Sequence, residues 1–421
     1  MSIDSIGKPA MVKTSSISKP VHNLSPKKLD SSRIFEKVVE VANFYGFRPY
    51  IEIMERPKSV SDEQAIFAPV EKVRQVDTSR KQGSIIETYL KNETINHEDP
   101  KLVYFYTEPR ERNKEKLEEE HGRFNLEIFG LQRSIGEATI LRTCLSILEE
   151  MGHIEPTISI NSMGDKESML RFSREYLAYY KRPSLDMHAT CRENLKKNPS
   201  KMFSCRNERC VALREEAPQT ISCLSETSRI HFKEVLEFLE AMHASYEIDS
   251  TLVRDTDRFC ETIFEIHRSA RNKEDGEETL PAQILAHGGR YNYFARKIGS
   301  KKDIPIVGAS IALSAPAHTA KSLIHKRKPK IYFIQLGHEA TRKSFPVLEI
   351  LRKVRMPLLQ SHGTNQLIGQ LSIAEKLAIP YTMIMGQREA VDGTVIIRNT
   401  STRKQDTVPL AMLATYLQNL A

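Results

Sequence analysis

The chain has 421 residues, of which 40% are hydrophobic and 28% charged, and a formal net charge of +8. That length can bury a substantial core and points to two or three domains, while no run approaches the roughly 18 consecutive apolar residues that a membrane helix needs. The first apolar positions, Ile3, Ile6, Met11 and Val12, are scattered among Ser, Lys and Pro and make no signal peptide, and six cysteines in so long a chain make no disulfide framework, so a cytoplasmic protein is expected.

Residues 1–28 are rich in Ser, Lys and Pro, lack aromatic residues and show no periodicity, which predicts a disordered basic tail. Regular structure begins at Ser31-Ser32, either of which can cap a helix carrying Ile34, Val38, Val39, Val41 and Ala42 at helical spacing and closed by Gly46. A strand signal, Tyr50 to Ile53, follows. The stretch from Glu108 to Arg123 is almost wholly charged and reads as an exposed helix or loop. Ser134 and Glu137 then form a capping-box pattern ahead of a helix with Ile140, Leu141, Cys144, Leu145 and Leu148, which ends at Gly152.

Thr157 to Ile160 reads as a short strand, and residues 165 to about 245 as mostly helical, with Phe232, Val235, Leu236 and Leu239 on one face. Strand signals return at Ser250 to Val253, Thr262 to Ile266 and Ile304 to Leu313, and such clustering predicts an antiparallel sheet flanked by helices. The basic segment 321–330 is a natural linker. After it, Ile331 to Leu336, a helix with Val347, Leu348, Leu351 and Val354, a strand at Tyr381 to Met385 and a hairpin through Thr394 to Pro409 make a small α/β domain. Much of the charge excess lies here: from Pro329 to the end there are 11 Lys/Arg against 6 Asp/Glu. A basic domain suits a phosphate-bearing partner such as RNA.

The segment Leu252-Val253-Arg254-Asp255-Thr256-Asp257-Arg258-Phe259, continued by Thr262 to Ile266, and the later His287-Gly288-Gly289-Arg290-Tyr291-Asn292 resemble, in order and spacing, the two signature segments of histidyl-tRNA synthetases. Ile160 to Gly164, Asn198-Pro199, Ala217-Pro218 and His231-Phe232 are similar to landmarks between and around them. Gly337 to Glu339, Gly386 and Asp392 to Val395 are similar to the family's anticodon-binding domain.

The resemblance covers roughly residues 25–421. It implies an α+β fold: a class II aminoacyl-tRNA synthetase antiparallel-sheet core over residues 29–320 with a helical insertion at about 165–245, and an anticodon-binding-like α/β domain over 331–421. It further implies a homodimer paired near Ser31 to Arg56, with tRNA as a partner and ATP and Mg²⁺ as cofactors if the chain is active.

Carried over residue by residue, Arg254 stands where the family places an arginine on the α-phosphate. Glu265, Gly288, Gly289, Arg290 and Tyr291 stand at the ligand, and Glu108 at the motif 2 glutamate. The motif 2 arginine position falls on Tyr106 and that of motif 3 on Ala315; Arg110, Arg112 or Arg123 are alternative sources of the first cation. Arg80 falls where the family has a glutamate for the substrate ammonium, and the paired tyrosines after the signature aspartate are Arg258 and Phe259.

The reading this favours is a paralogue with impaired or lost amino-acid activation that binds tRNA, a metabolite or a protein partner. The alternatives are an active but divergent histidine–tRNA ligase and a regulatory subunit resembling that of ATP phosphoribosyltransferase. Arg398, Arg403 and Lys404 are candidate RNA contacts. His188, Cys191, Cys205 and Cys210 offer four soft ligands for zinc, but their spacing is irregular and cysteine is ordinarily a small buried residue, so no metal is expected.

Overall fold

The computed structural model describes residues 31–50, 82–92, 99–107, 122–182, 187–197, 203, 205, 207–255, 258–268, 283–313, 328–360 and 366–420. The expected tail over 1–28 and most of the expected linker lie outside the described residues. The larger sheet contains β1 (Arg48–Pro49), β2 (Lys101–Thr107), β3 (Gly122–Phe129), β4 (Thr157–Ser162), β5 (Tyr246–Ile248), β6 (Cys260–His267), β7 (Ile284–Arg290) and β8 (Ile306–Leu313). Their order is β1-β2-β3-β8-β7-β6-β4-β5, antiparallel from β2 through β4 with a parallel strand at each edge.

Helix α1 (Ser31–Phe44) packs its periodic residues Phe35, Val38 and Val39 into the same apolar cluster as Tyr106, Phe124 and Ile311 of the sheet. Between Gln82–Lys91 (α2) and the signature segments runs α3 (Ile135–Glu150), which is buried on nearly every side, as expected of a helix enclosed between a sheet and other helices. The insertion holds α4 (Lys166–Tyr180), α5 (Ala189–Lys197), α6 (Glu208–Glu215), a 3-10 turn at Thr220–Cys223 and α7 (Glu226–Ala241). The starts of α4 and α7 share one capping network, in which Asp165 accepts from Ser168 N at 2.9 Å and from Ser225 Oγ at 2.8 Å.

Two sequence expectations change. Ser134 sits in a helical conformation and caps nothing, because its hydroxyl donates to Glu234 and Glu137 turns inward instead of back along its helix. Ser250 to Val253 is a turn; the edge strand lies just before it at Tyr246–Ile248, paired with β4.

Alternation assigns the two faces of the sheet. Phe124, Leu126, Val307, Ala309, Ile311, Phe264 and Ile266 belong to the core beneath the helices. By register, the opposite face presents Arg123, Asn125 and Glu127 on β3, Gly308 and Ser310 on β8, His287 and Gly289 on β7, and Ile263 and Glu265 on β6.

After the short helix α8 (Phe294–Lys297), the C-terminal unit is a five-stranded sheet ordered β10-β9-β11-β12-β13, made of Leu358–Gln360, Ile331–Gln335, Tyr381–Met385, Thr394–Asn399 and Gln405–Pro409. Its helices are α9 (His338–Lys353), α10 (Leu367–Lys376), α11 (Gln387–Asp392) and α12 (Leu410–Leu420). It docks on the core through α9: Phe345 meets Phe238 edge-on with centroids 5.5 Å apart, and Arg142 reaches Glu349 at 2.5 Å. Arg352 reaches Glu149 at 2.5 Å and Glu150 at 2.8 Å.

Candidate functional site

Cationic and acidic side chains converge on the open face. His287 Nδ1 lies 3.3 Å from Arg123 Nη1. Burial, followed by the charges of Arg123, Arg254 and Arg258, holds the imidazole down at about 4, so it is neutral at pH 7. Arg254, expected at the α-phosphate, is half-exposed and bonded to Glu265, one residue across the sheet from His287. Glu265 also lies 3.5 Å from His267.

Arg258 stands among rings, 5.2 Å from the centroid of Phe259, 5.5 Å from Phe294 and 5.8 Å from Tyr291. Burial lowers its pKa, and the carboxylates of Glu127 and Asp255 work in the opposite sense. A guanidinium held this way stacks on apolar rings while a buried carboxylate balances its charge. Reading the sequence gave Arg258 weight only as a replaced tyrosine. Its neighbour Glu127, 3% exposed on β3, was missed, although the strict alternation of Arg123, Asn125 and Glu127 with Phe124, Leu126 and Ile128 is the signal for it.

The second signature lies on a strand, with His287 to Arg290 in β7. His287 to Arg290 pair with β6 on one side and β8 on the other. A Cβ on Gly288 would stand 2.2 Å from the carbonyl oxygen of Gly308, and one on Gly289, at φ +159°, 2.8 Å from that of Thr262. The glycines let three backbones lie close together.

Arg290, expected at the ligand, is instead enclosed, with its side chain 0% exposed. Nε and Nη2 grip the Glu137 carboxylate at 2.6 and 2.5 Å, and Nη1 donates to Leu131 O at 2.8 Å. Nη1 also reaches Asn292 Oδ1 at 3.5 Å and Nη2 reaches Arg133 O at 3.3 Å, so all five guanidinium donors are engaged by the protein itself. His231 Nε2 completes the set, 2.7 Å from Glu137. Burial would raise the Glu137 carboxyl, but Arg290 and His231 overcome it and hold the group at about 2. Tyr291 is likewise buried, edge-on to Phe259 with centroids 6.1 Å apart.

The alternation of β2 also alters the motif 2 reading. Tyr106 faces the helix-covered core, edge-on to Phe35 with centroids 5.9 Å apart. The β2 residues that share the open face are therefore Lys101, Val103, Phe105 and Thr107; the two nearest Arg123, Phe105 and Thr107, are not cations, and Lys101 lies at the far end opposite Phe129. Arg123, at the start of β3, does stand on that face. Glu108, Arg80, Ala315, Arg110 and Arg112 lie outside the described residues.

In the C-terminal unit, Arg398 lies on β12 while Arg403 and Lys404 are exposed in the turn joining it to β13, so the three share one hairpin. In the insertion, His188, Cys191 and Cys205 are brought together, with their ligand atoms within 4.8 Å of one another.

Comparison with known proteins agrees with this architecture. An anticodon binding domain model matches residues 337–420. The chain is 28% identical to a histidine–tRNA ligase of Halothermothrix orenii over 355 residues, 82% of each chain. The chain resembles the histidyl-tRNA synthetase family over most of its length. The likeness to the Pelodictyon phaeoclathratiforme histidine–tRNA ligase is 24% and spans 96% of this chain and 97% of that one. The crystal structure of apo S. aureus histidyl-tRNA synthetase superposes over 95% of this chain and 99% of that chain, with a TM-score of 0.46 and 18% identity. The antiparallel-rich core sheet is followed by a C-terminal α/β unit that the anticodon binding domain model matches. Among the described residues no helix is long and apolar enough to cross a membrane.

Proposed function

We propose that this chain is a paralogue in which amino-acid activation is impaired or lost, and that it acts by binding tRNA through its C-terminal domain. The observation that carries the reading is the site end of β2, where the described residues of the open face are Phe105 and Thr107, while Lys101, the cation of that face, stands at the far end of the strand. Activation brings a carboxylate onto the α-phosphate of ATP, so negative charge builds up where preorganised cations must meet it. Loss of one such donor costs about 3 to 4 kcal/mol, or roughly 10² to 10³ in rate.

The neighbouring groups lean the same way. Arg254 would have to leave Glu265 before it could hold a phosphate. Arg258, in place of a tyrosine, brings positive charge to the aromatic end of the site, where the ammonium of an amino acid would be repelled. The family reaction takes ATP and Mg²⁺. The described carboxylates of this face, Glu127 and Glu265, have cationic neighbours in Arg258 and Arg254, a set that does not suit Mg²⁺, and no step is routed through it.

Support for tRNA comes from the anticodon domain match and from the hairpin bearing Arg398, Arg403 and Lys404. The same domain weighs against a transferase regulatory subunit. The rival is an active, divergent ligase, favoured by Arg123 on the open face. The two are separated by histidine-dependent ATP–pyrophosphate exchange on purified protein. No exchange above background is expected, and robust turnover sinks the proposal. A homodimer is the expected assembly, checked by light scattering on the eluting protein.

A further inference from the structure

Outside the sheet site, the insertion gathers four residues that the synthetase reading does not use. We propose that His188, Cys191, Cys205 and Cys210 form a structural zinc site that fastens helices α5 and α6 to each other. The ligand atoms of His188, Cys191 and Cys205 all lie within 4.8 Å of one another. Zinc–sulfur bonds of about 2.3 Å in a tetrahedron put neighbouring ligands roughly 3.5 to 4 Å apart, so small rotamer changes close the set. Cys210 would be the fourth ligand: its sulfur accepts the backbone N–H of His188, itself one of the three clustered residues, at 3.4 Å, and Cys191 and Cys205 both feel it as an electrostatic neighbour. Residues on both sides of the gap between α5 and α6 thus meet at one point.

The surroundings suit a metal thiolate centre. The Asn207 backbone N–H bonds the Cys205 sulfur from two residues on, as amides bond to metal-bound thiolates. Three thiolates and Zn²⁺ carry one net negative charge, and Arg214, which donates to the Cys205 carbonyl and whose charge acts on its sulfur, balances it. Soft sulfur with one imidazole selects zinc over the hard cations.

The fold gives the site work to do. Cys210 is the one buried residue among those described in α6, and Cys191 the one fully buried side chain among those described in α5. Helices of 9 and 8 residues do not persist on their own in water. Their other side chains give little apolar surface to the small cluster of Phe172, Tyr176, Tyr179 and Tyr180, which comes mainly from α4. A metal cross-link through those two cysteines joins the two short helices into one unit, which can order together where neither would alone.

The test is metal analysis of the full chain purified under reducing conditions and supplied with zinc. About one zinc per chain is expected after desalting, and cobalt exchange should give the visible bands of a tetrahedral thiolate centre. Cys191→Ser with Cys205→Ser should lower occupancy at least about tenfold, while Cys223→Ser, outside the cluster, leaves it unchanged. Because the double variant can misfold, Cys205→His serves as a second variant: it keeps four ligands and should retain metal with a shifted cobalt spectrum. Substoichiometric zinc in the wild type, zinc retained by the double variant, or a disulfide among these cysteines in the reduced preparation would each overturn the proposal.

Discussion

Replacing Glu137 by Gln probes the interaction on which the second signature is built. The substitution keeps the shape but removes the charge that two guanidinium nitrogens grip at 2.6 and 2.5 Å, and it turns an amide donor toward one of them. Arg290 would be left as a cation with 0% exposure. Removing one partner of a buried pair costs about 3 to 5 kcal/mol. At about 2 °C per kcal/mol for a domain of this size, the core transition should fall by roughly 6 to 10 °C.

The pH dependence gives a second reading of the same variant. Glu137 is lowered from 4.5 to about 2, so its contribution is present above 4.5 and is lost as pH falls toward 2. His231 is raised above 6.5, with burial opposed by the Glu137 charge, so its contribution is present below 6.5 and is lost as pH rises through the folded value. Glu137→Gln should flatten both limbs. Circular dichroism melts from about pH 3 to about pH 8 make the measurement, with the exposed Glu226→Gln as control, expected within about 0.5 kcal/mol. An unchanged transition with the same acid limb would refute the reasoning.

Other parts of the account are open to similar tests. His287 should titrate near 4 in NMR, so that its contribution to stability falls away as pH drops from 6.5 toward 4, and Arg123→Ala should raise its pKa; titration near 6.5 in the wild type contradicts the cationic surround. Replacing Arg398, Arg403 and Lys404 together by Ala should weaken tRNA binding and lower the slope of log affinity against log salt by about 2 to 3. An unchanged slope in fluorescence anisotropy removes the hairpin from the interface. Arg352→Ala, which breaks contacts to Glu149, Glu150 and Glu349, should cost about 1.5 to 3 kcal/mol and enlarge the particle in X-ray scattering. An unchanged profile would assign the docking to Phe238 and Phe345 alone.

What the sequence made legible follows from which interactions are local. Helices α1, α3 and α7 were readable because their apolar residues repeat at helical spacing, and the C-terminal α/β pattern because strands and helices alternate. Strand β7 was not, since two adjacent glycines carry little strand propensity of their own. Their reason is the backbone of β8 pressing on Gly288 and that of β6 on Gly289, which no local pattern contains. Glu137 passes for a capping residue until Arg290, 153 positions away, is seen to hold it. Tyr106 was placed at a cation's position by counting along a motif, and only the pleat reveals that it faces the core. The sulfur cluster was similarly obscured, because irregular spacing in the sequence hides residues that the fold brings together.

The central claim is that this synthetase-like chain binds tRNA without activating histidine. Charging of tRNA with labelled histidine, in a mixture containing ATP and Mg²⁺ where anisotropy shows the tRNA bound, tests it most directly. The account predicts bound tRNA and no acid-precipitable label above background; label accumulating on the tRNA with time would contradict it.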